Sequence, residues 1–115
     1  MADTTFAPFP HHRLIAYQVA LEFVRLMRAT PIADAESRKH ANGSAASCAR
    51  NLAEGAGRRS RADKKRVYGL ALGELCEAVA SVEIDNALGG CSAEPLLAVQ
   101  LAASRLNAML TALSR

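Results

Sequence analysis

The histidines and their acidic neighbours are the side chains from which a metal site would be built. His11 and His12 precede the predicted helices, and His40 lies four residues after Glu36. That spacing puts two ligand types on one helix face. Metal sites in helical bundles combine paired Glu-x-x-His helices with further inward glutamates, and the sequence lacks that pattern. It therefore predicts no metal site.

Two further candidates for chemistry are a pair of glutamates and a glycine-rich segment. Glu74 and Glu77 lie on a polar helix face, where a solvated pair is far commoner than an acid–base dyad. Residues 55–57 are Gly-Ala-Gly, but they follow a helix and not a strand, so they end that helix and form no phosphate loop. We predict a protein that is not an enzyme, with no catalytic residues and no cofactor.

A run of positive charge at residues 58–66 is the strongest chemical signal. The run carries a net charge of +5, with Asp63 as its one acidic residue, whereas the rest of the chain sums to −2. Such a cluster suits the phosphate backbone of RNA or DNA. No aromatic residue interleaves it for base stacking, so binding would be weakly sequence-specific. The candidate nucleic-acid-binding residues are Arg58, Arg59, Arg61, Lys64, Lys65 and Arg66.

Helices must position these residues, because Ala and Leu (24 and 14 residues) dominate the chain and β-branched residues are few. Pro31 ends the first helix, and Asp34, Ser60 and Ser92 are N-cap candidates for the other three. We predict an all-α, antiparallel up-down four-helix bundle over residues 12–115, preceded by a flexible arm over residues 1–11. The predicted helices begin near residue 12 or 13, after residue 34, after residue 60 and after residue 92; they end at 29–30, 55–57, before 89–90 and at the end of the chain.

The third predicted helix carries an apolar seam, a line of small residues and a polar face. Two glycines inside a helix cost about 1 kcal/mol each relative to Ala, so we expect the small line to allow close approach of the second helix. We expect the polar face, formed by Glu74, Glu77, Ser81 and Asp85, to lie in water. The small line predicted to pack against a helix comprises Gly69, Gly73, Cys76 and Ala80.

The first and fourth predicted helices have more apolar surface than one bundle needs. The first is apolar nearly all round, with a narrow polar strip at Gln18, Glu22 and Arg25. Because a helix of this kind is normally buried on more than one side, we predict a subunit interface and a homo-oligomer. The seam of the fourth helix is Val99, Ala103, Leu106, Leu110 and Leu113.

The start of the chain and the cysteines indicate a compartment. The first residues have no basic segment followed by an apolar one, and no apolar run reaches the length of a membrane span. Cys48, Cys76 and Cys91 lack metal-type spacing and are typical of reduced thiols in a cytosolic protein. We predict a cytoplasmic protein with no membrane partner.

The end of the second predicted helix carries a specific motif. Residues 51–58 are Asn-Leu-Ala-Glu-Gly-Ala-Gly-Arg, followed by Ser60 and by Gly-Glu-Leu at 73–75 with Glu77. Over roughly residues 12–112 the sequence resembles the four-helix-bundle family of the 23S rRNA intervening-sequence protein. It departs from that family at Asn42-Gly43, where relatives often have paired Arg, and at Ala49, where Pro is common. The motif residues, expected to be structural, are Asn51, Glu54, Gly55, Gly57 and Arg58.

The resemblance implies a cytosolic bundle that assembles as a homopentamer and has no established activity. A similar fold serves as the accessory protein of diversity-generating retroelements, a basic pentamer that engages reverse transcriptase and nucleic acid. Fold analogy alone does not transfer either role. The hypotheses are a nucleic-acid-associated oligomer, working alone or with a partner protein, and the alternative of a protein–protein scaffold that binds no nucleic acid. From the residues themselves, we expect Asn51 and Glu54 to be partly buried and Glu54 to pair with Arg58, one turn on.

Overall fold

The computed structural model describes residues 5–115, and its regular structure is entirely helical. A short 3-10 helix covers Pro10–Arg13, and four α-helices follow: α1 Ile15–Ala29, α2 Ala35–Gly57, α3 Arg61–Ala87 and α4 Ala93–Leu113. The all-α, four-helix prediction is confirmed. α1 begins slightly later than predicted because Leu14 is extended and separates the 3-10 turn from the helix.

The helix ends follow the predicted capping residues. The Asp34 carboxylate accepts a hydrogen bond from the Ser37 backbone N–H at 2.9 Å, and the Ser60 hydroxyl accepts one from the Asp63 N–H at 3.0 Å. After α3 the chain turns through Gly89, whose φ of 85° is a conformation that favours glycine. These local rules therefore place the starts of α2 and α3 without reference to packing. Ser92 occupies the predicted N-cap position of α4, but its side chain makes no cap hydrogen bond.

Each helix of the bundle contacts its two neighbours in chain order, and α4 returns to contact α1. Among the described residues, no Cα atom of α1 lies within 8 Å of one in α3, and none of α2 lies within 8 Å of one in α4. The side chains of the four helices form one core. The predicted seam of α4 is buried, except that Leu113 is half-buried. The largest fully buried apolar side chains are Phe23, Met27, Leu52, Leu75, Leu106 and Leu110.

The interface between α2 and α3 is the most extensive in the bundle. It is made by small side chains: Ala45, Cys48 and Ala49 of α2 are buried, as are Ala71 and Ala78 of α3. Small residues let two helix backbones approach closely, which explains why this pair shares the most contact.

The predicted small line of α3 lies elsewhere, and the prediction that it packs against α2 is wrong within the chain. Gly69, Gly73, Cys76 and Ala80 are exposed, and a Cβ added at either glycine would have no neighbour within 4 Å. The reason is rotation: Ala71, one of the buried residues of α3, lies about 200° around the helix from Gly69. Turning the buried residues toward α2 carries the glycines to the outer face.

The prediction that Asp85 lies on a solvent-exposed face is also wrong, because the residue lies in the interior. Its side chain is 1% exposed. One carboxylate oxygen accepts hydrogen bonds from the Ala33 N–H at 3.0 Å and the Cys91 N–H at 2.8 Å, and the other accepts one from the Asp34 N–H at 2.9 Å. These bonds lower the pKa of Asp85, with that from Asp34 contributing most and burial opposing them. Asp85 thereby joins the α1–α2 and α3–α4 connections.

Ser81, also expected in water, is buried and donates its hydroxyl to the Glu77 carbonyl at 3.0 Å.

The helix α4 is long and apolar enough to cross a membrane by length and composition, a test that core helices of other proteins also pass. Only 22% of its most apolar stretch is buried within the chain, so α4 presents a large apolar outer face.

Candidate nucleic-acid interface

The basic run 58–66 forms the corner between α2 and α3, which we call the basic corner. The last turn of α2 ends at Gly57, residues 58–60 make the connection, and α3 begins at Arg61. The Ser60 cap therefore places the remaining charges of the run in the first two turns of α3. A helix N-terminus carries a partial positive charge, which adds to these side chains.

Two of the six basic residues are held in ion pairs. The Arg58 guanidinium donates to the Glu54 carboxylate one turn earlier in α2 and lies 3.4 Å from an oxygen of Asp63. Arg66 lies 2.9 Å from the other oxygen of Asp63. The hydrogen bond to Glu54 raises the pKa of Arg58, and the charge on Asp63 adds to it. These charges brace the corner internally.

A third basic residue caps the end of α2. Lys64 Nζ donates to the backbone carbonyl of Ala56 at 2.7 Å. The carbonyls of the last helical turn lack partners within the helix, and a lysine there also favours the helix dipole. Lys64 thus ties the first turn of α3 to the last turn of α2 while its charge stays at the corner.

The other three candidates make no such contact. Arg59 and Arg61 are exposed and Lys65 is half-buried. None of the three forms an ion pair with another residue in the range 5–115. The six residues of the predicted set are therefore brought together, but they divide equally into braced and available cations.

A groove runs beside the available cations, between the start of α3 and the end of α4. It encloses about 300 Å³ and is lined by Arg61, Lys64, Lys65, Tyr68, Ala112, Leu113 and Arg115. Sequence reasoning missed Tyr68 and Arg115 as members of this surface. Arg115 could have been found from helix order, because the end of the fourth helix of an up-down bundle meets the start of the third.

The motif residues of α2 have structural contacts. Asn51 is half-buried and donates to the Ser47 carbonyl at 3.0 Å, as expected for a hydrogen-bonded amide. The predicted Glu54–Arg58 pair is confirmed, although Glu54 is exposed and not partly buried. A Cβ added to Gly55 would lie 2.7 Å from the ring of Tyr68. Gly55 is thus required for the packing of α3 on α2.

Gly57 makes no close packing contact of this kind, because a Cβ at Gly57 would meet nothing within 4 Å.

The three cysteines differ in exposure. Cys48 and Cys91 are buried, and burial raises the pKa of the Cys48 thiol to about 12. The third thiol, Cys76, is exposed. Across residues 5–115, no group of three or more His, Cys, Asp or Glu side chains could hold a metal ion.

A second basic pocket lies where α1 meets α2. It encloses about 490 Å³ and includes Arg28, Thr30, Arg38 and Lys39. Arg38 donates to the Ile32 carbonyl at 2.9 Å, so one of its three cations is anchored. Sequence reasoning missed this pocket because Arg28 lies ten residues before the adjacent Arg38 and Lys39, so the three form no charge run.

The chain matches a known protein family. A family model described as 23S rRNA-intervening sequence protein matches residues 13–112. That range includes all of α1, α2 and α3, α4 except its last residue, Leu113, and the whole basic corner. No curated protein matches the chain.

Proposed function

Since the chain belongs to the 23S rRNA-intervening sequence protein family, we propose that it is a non-enzymatic, cytoplasmic bundle that binds the backbone of RNA or DNA. The basic corner is the proposed binding surface. Binding there would be electrostatic and weakly sequence-specific, because phosphates carry no sequence information.

The observation that carries this proposal is the set of unpaired cations at the corner. Within residues 5–115, Arg59, Arg61 and Lys65 have no ion pair to break before they can meet a phosphate. The braced cations Arg58 and Lys64 fix the backbone from which the others project. Unpaired charges on a rigid backbone bind at a low cost in free energy, because no ion pair has to break and no segment has to become ordered.

The proposed architecture is an antiparallel up-down bundle that assembles as a homo-oligomer. The shared groove of α3 and α4 supports antiparallel helices, because it joins the start of one to the end of the other. Ile15 of α1 and Leu97 and Leu101 of α4 are between 54% and 71% exposed. Together with the largely unburied apolar stretch of α4, these side chains support an interface. The family resemblance supplies five as the expected number of subunits.

Charge reversal at the corner tests the nucleic-acid proposal. We compare Arg59→Glu/Arg61→Glu with Arg25→Glu/Arg50→Glu. This control pair consists of exposed arginines on α1 and α2 that form no ion pair within the described part of the chain. Both variants change the charge of each subunit equally. Anisotropy of a labelled single-stranded RNA, from about 50 to about 200 mM salt, gives the affinity and the salt slope of about −0.7 per neutralised phosphate.

Corner-specific binding predicts that the first variant loses at least tenfold in affinity and has a shallower salt slope, on the order of one contact per charge. The control pair should lose far less. Equal losses would show that only net charge matters and that the corner is not the site. If the wild-type protein fails to bind at about 50 mM salt, the nucleic-acid proposal is wrong.

Light scattering tests the assembly. Leu97→Glu/Leu101→Glu places two carboxylates per subunit on the outer face of α4, which is costly within an interface. Thr111→Glu is the control, since Thr111 is exposed on the same helix. We expect the double variant to be monomeric and the control to keep the wild-type mass. A monomeric wild-type protein at micromolar concentration would contradict the oligomer.

The alternative function, a protein–protein scaffold without nucleic-acid binding, has an observation of its own. Leu70, Ile84 and Leu88 are exposed at spacings that place them along one side of α3 and the turn after it. A protein partner could cover this row. The RNA experiment separates the two functions, because a scaffold predicts no binding by the wild-type protein at any salt concentration.

A further inference from the structure

The Tyr68 ring is fixed in one position at the start of the α2–α3 interface. The residue is 5% exposed, and its ring lies against the backbone of Gly55, where an added Cβ would approach Cε1 to 2.7 Å. A ring held this closely has little rotational freedom. Its hydroxyl is therefore presented in a defined direction.

That hydroxyl has no hydrogen-bond partner within residues 5–115. A buried tyrosine usually pairs its O–H, and every fully shielded side-chain nitrogen or oxygen in the described chain does have a partner. The Tyr68 oxygen is therefore not fully shielded. Tyr68 is also one of the residues that line the groove between α3 and α4, so this groove is the cavity beside the unpaired hydroxyl.

The same groove is lined by cations from two helices. Arg61, Lys64 and Lys65 come from the first turns of α3 and Arg115 follows α4, and no acidic side chain is among the lining residues. Lys64 is anchored on the Ala56 carbonyl. The groove thus combines fixed positive charge with one neutral O–H donor at its wall.

We propose that this groove binds one phosphate group of a nucleic-acid backbone, with the Tyr68 hydroxyl donating a hydrogen bond to a phosphate oxygen. The inference deepens the proposed function and rests on it for the source of the phosphate. Phosphate oxygens in protein–nucleic acid complexes are bound by Arg, Lys and Tyr side chains. Burial raises the pKa of Tyr68, so the hydroxyl keeps its proton and remains a donor at neutral pH.

The experiment uses Tyr68→Phe, which removes the hydroxyl and leaves the ring over Gly55. Tyr17→Phe is the matched control, because Tyr17 is the other tyrosine of the chain and does not line the groove. RNA affinity is measured across the same salt range as before. A hydrogen bond to a charged group supports a loss of about tenfold for Tyr68→Phe. The salt slope should not change, since no cation is removed. A merely structural hydroxyl would lower the melting temperature; we expect no change.

A Tyr68→Phe variant that binds RNA as tightly as the wild type would overturn the groove site and leave the function of the corner standing. If the wild type binds no RNA, the proposed function fails, and a titration with inorganic phosphate decides the groove separately. Saturable shifts of the Lys65 and Arg115 amide resonances that vanish in Tyr68→Phe would then support the site. Absence of such shifts would overturn it.

Discussion

The two ends of the bundle use ionisable side chains in opposite ways. At the end where α1 meets α2 and α3 meets α4, the Asp85 carboxylate is buried and accepts three backbone N–H groups. At the α2–α3 corner, Arg59 and Arg61 are exposed and form no ion pair with any residue that the structure describes. The Asp85 charge makes hydrogen bonds only within the fold, whereas the charges of the two arginines are accessible to a ligand.

The difference shows that an ionisable side chain stabilises the fold at one end of the bundle and is available for binding at the other. A buried carboxylate is tolerated because its oxygens are saturated by fixed donors, and removing it would leave those donors buried without partners. An exposed cation is stabilised by water and contributes little to folding. Variants at the two ends should therefore differ in which property they change.

The largest expected effect is at the buried end. Asp85→Ala leaves the N–H groups of Ala33, Asp34 and Cys91 without an acceptor, so the melting temperature should fall by about 10 °C or more. Thermal unfolding followed by circular dichroism measures this. Glu77→Ala, an exposed carboxylate on the same helix, is the control and should stay close to wild type. Equal melting temperatures for the two variants would show that Asp85 does not join the connections.

The next largest effect is expected in the packing of the basic end. Gly55→Ala forces a methyl group against the Tyr68 ring and should cost about 1–3 kcal/mol of unfolding free energy. Gly57→Ala, two residues on, has open space and should be neutral or slightly stabilising. Denaturant unfolding of both variants measures the difference. A Gly55→Ala protein as stable as Gly57→Ala would contradict the close packing of Tyr68.

Acid should weaken the buried end selectively. The folded-state pKa of Asp85 is lower than its ordinary value, so its contribution is fully present above pH about 4 and is lost as the pH falls through the folded-state pKa. The melting temperature of the wild type should therefore decline by several degrees in this acid range. Asp85→Asn should begin lower and decline less. Parallel curves for the two proteins would assign the acid loss to other carboxylates.

A smaller effect, of opposite sign, is expected on the outer face between the ends. Gly73→Ala adds a methyl group where nothing lies within 4 Å and removes a flexible residue from the middle of α3. It should stabilise the folded chain by about 0.5–1 kcal/mol. Denaturant unfolding measures the stability of the variant, and light scattering measures its mass. A destabilised variant with a reduced mass would show that the small line of α3 packs between subunits.

The smallest effect on stability is expected at the basic corner itself. Arg59→Glu/Arg61→Glu should unfold within about 0.5 kcal/mol of the wild type, because exposed unpaired charges make small contributions. Arg61 is also the first residue of α3, where a carboxylate favours the helix dipole. Denaturant unfolding checks this. A loss comparable to that of Gly55→Ala would mean that these arginines hold the fold, which would erase the contrast between the two ends.

The sequence by itself determined the helices and the place of the positive charge. The side chains of Asp34 and Ser60 accept hydrogen bonds from N–H groups three residues away. The apolar residues of the α4 seam recur every three or four residues. These are interactions within one or two helical turns, so the residue order alone contains them. The Glu54–Arg58 pair was predictable for the same reason.

Only the tertiary structure decided which polar groups are buried, paired or available. Asp85 lies on a face that looks wet in the sequence, yet its partner Ala33 is 52 residues away. The small line of α3 faces outward because the bundle sets the rotation of that helix. Tyr68 and Arg115 line one groove only because α4 returns to the start of α3. Solvation and pairing depend on neighbours that are distant along the chain, and a local pattern cannot supply them.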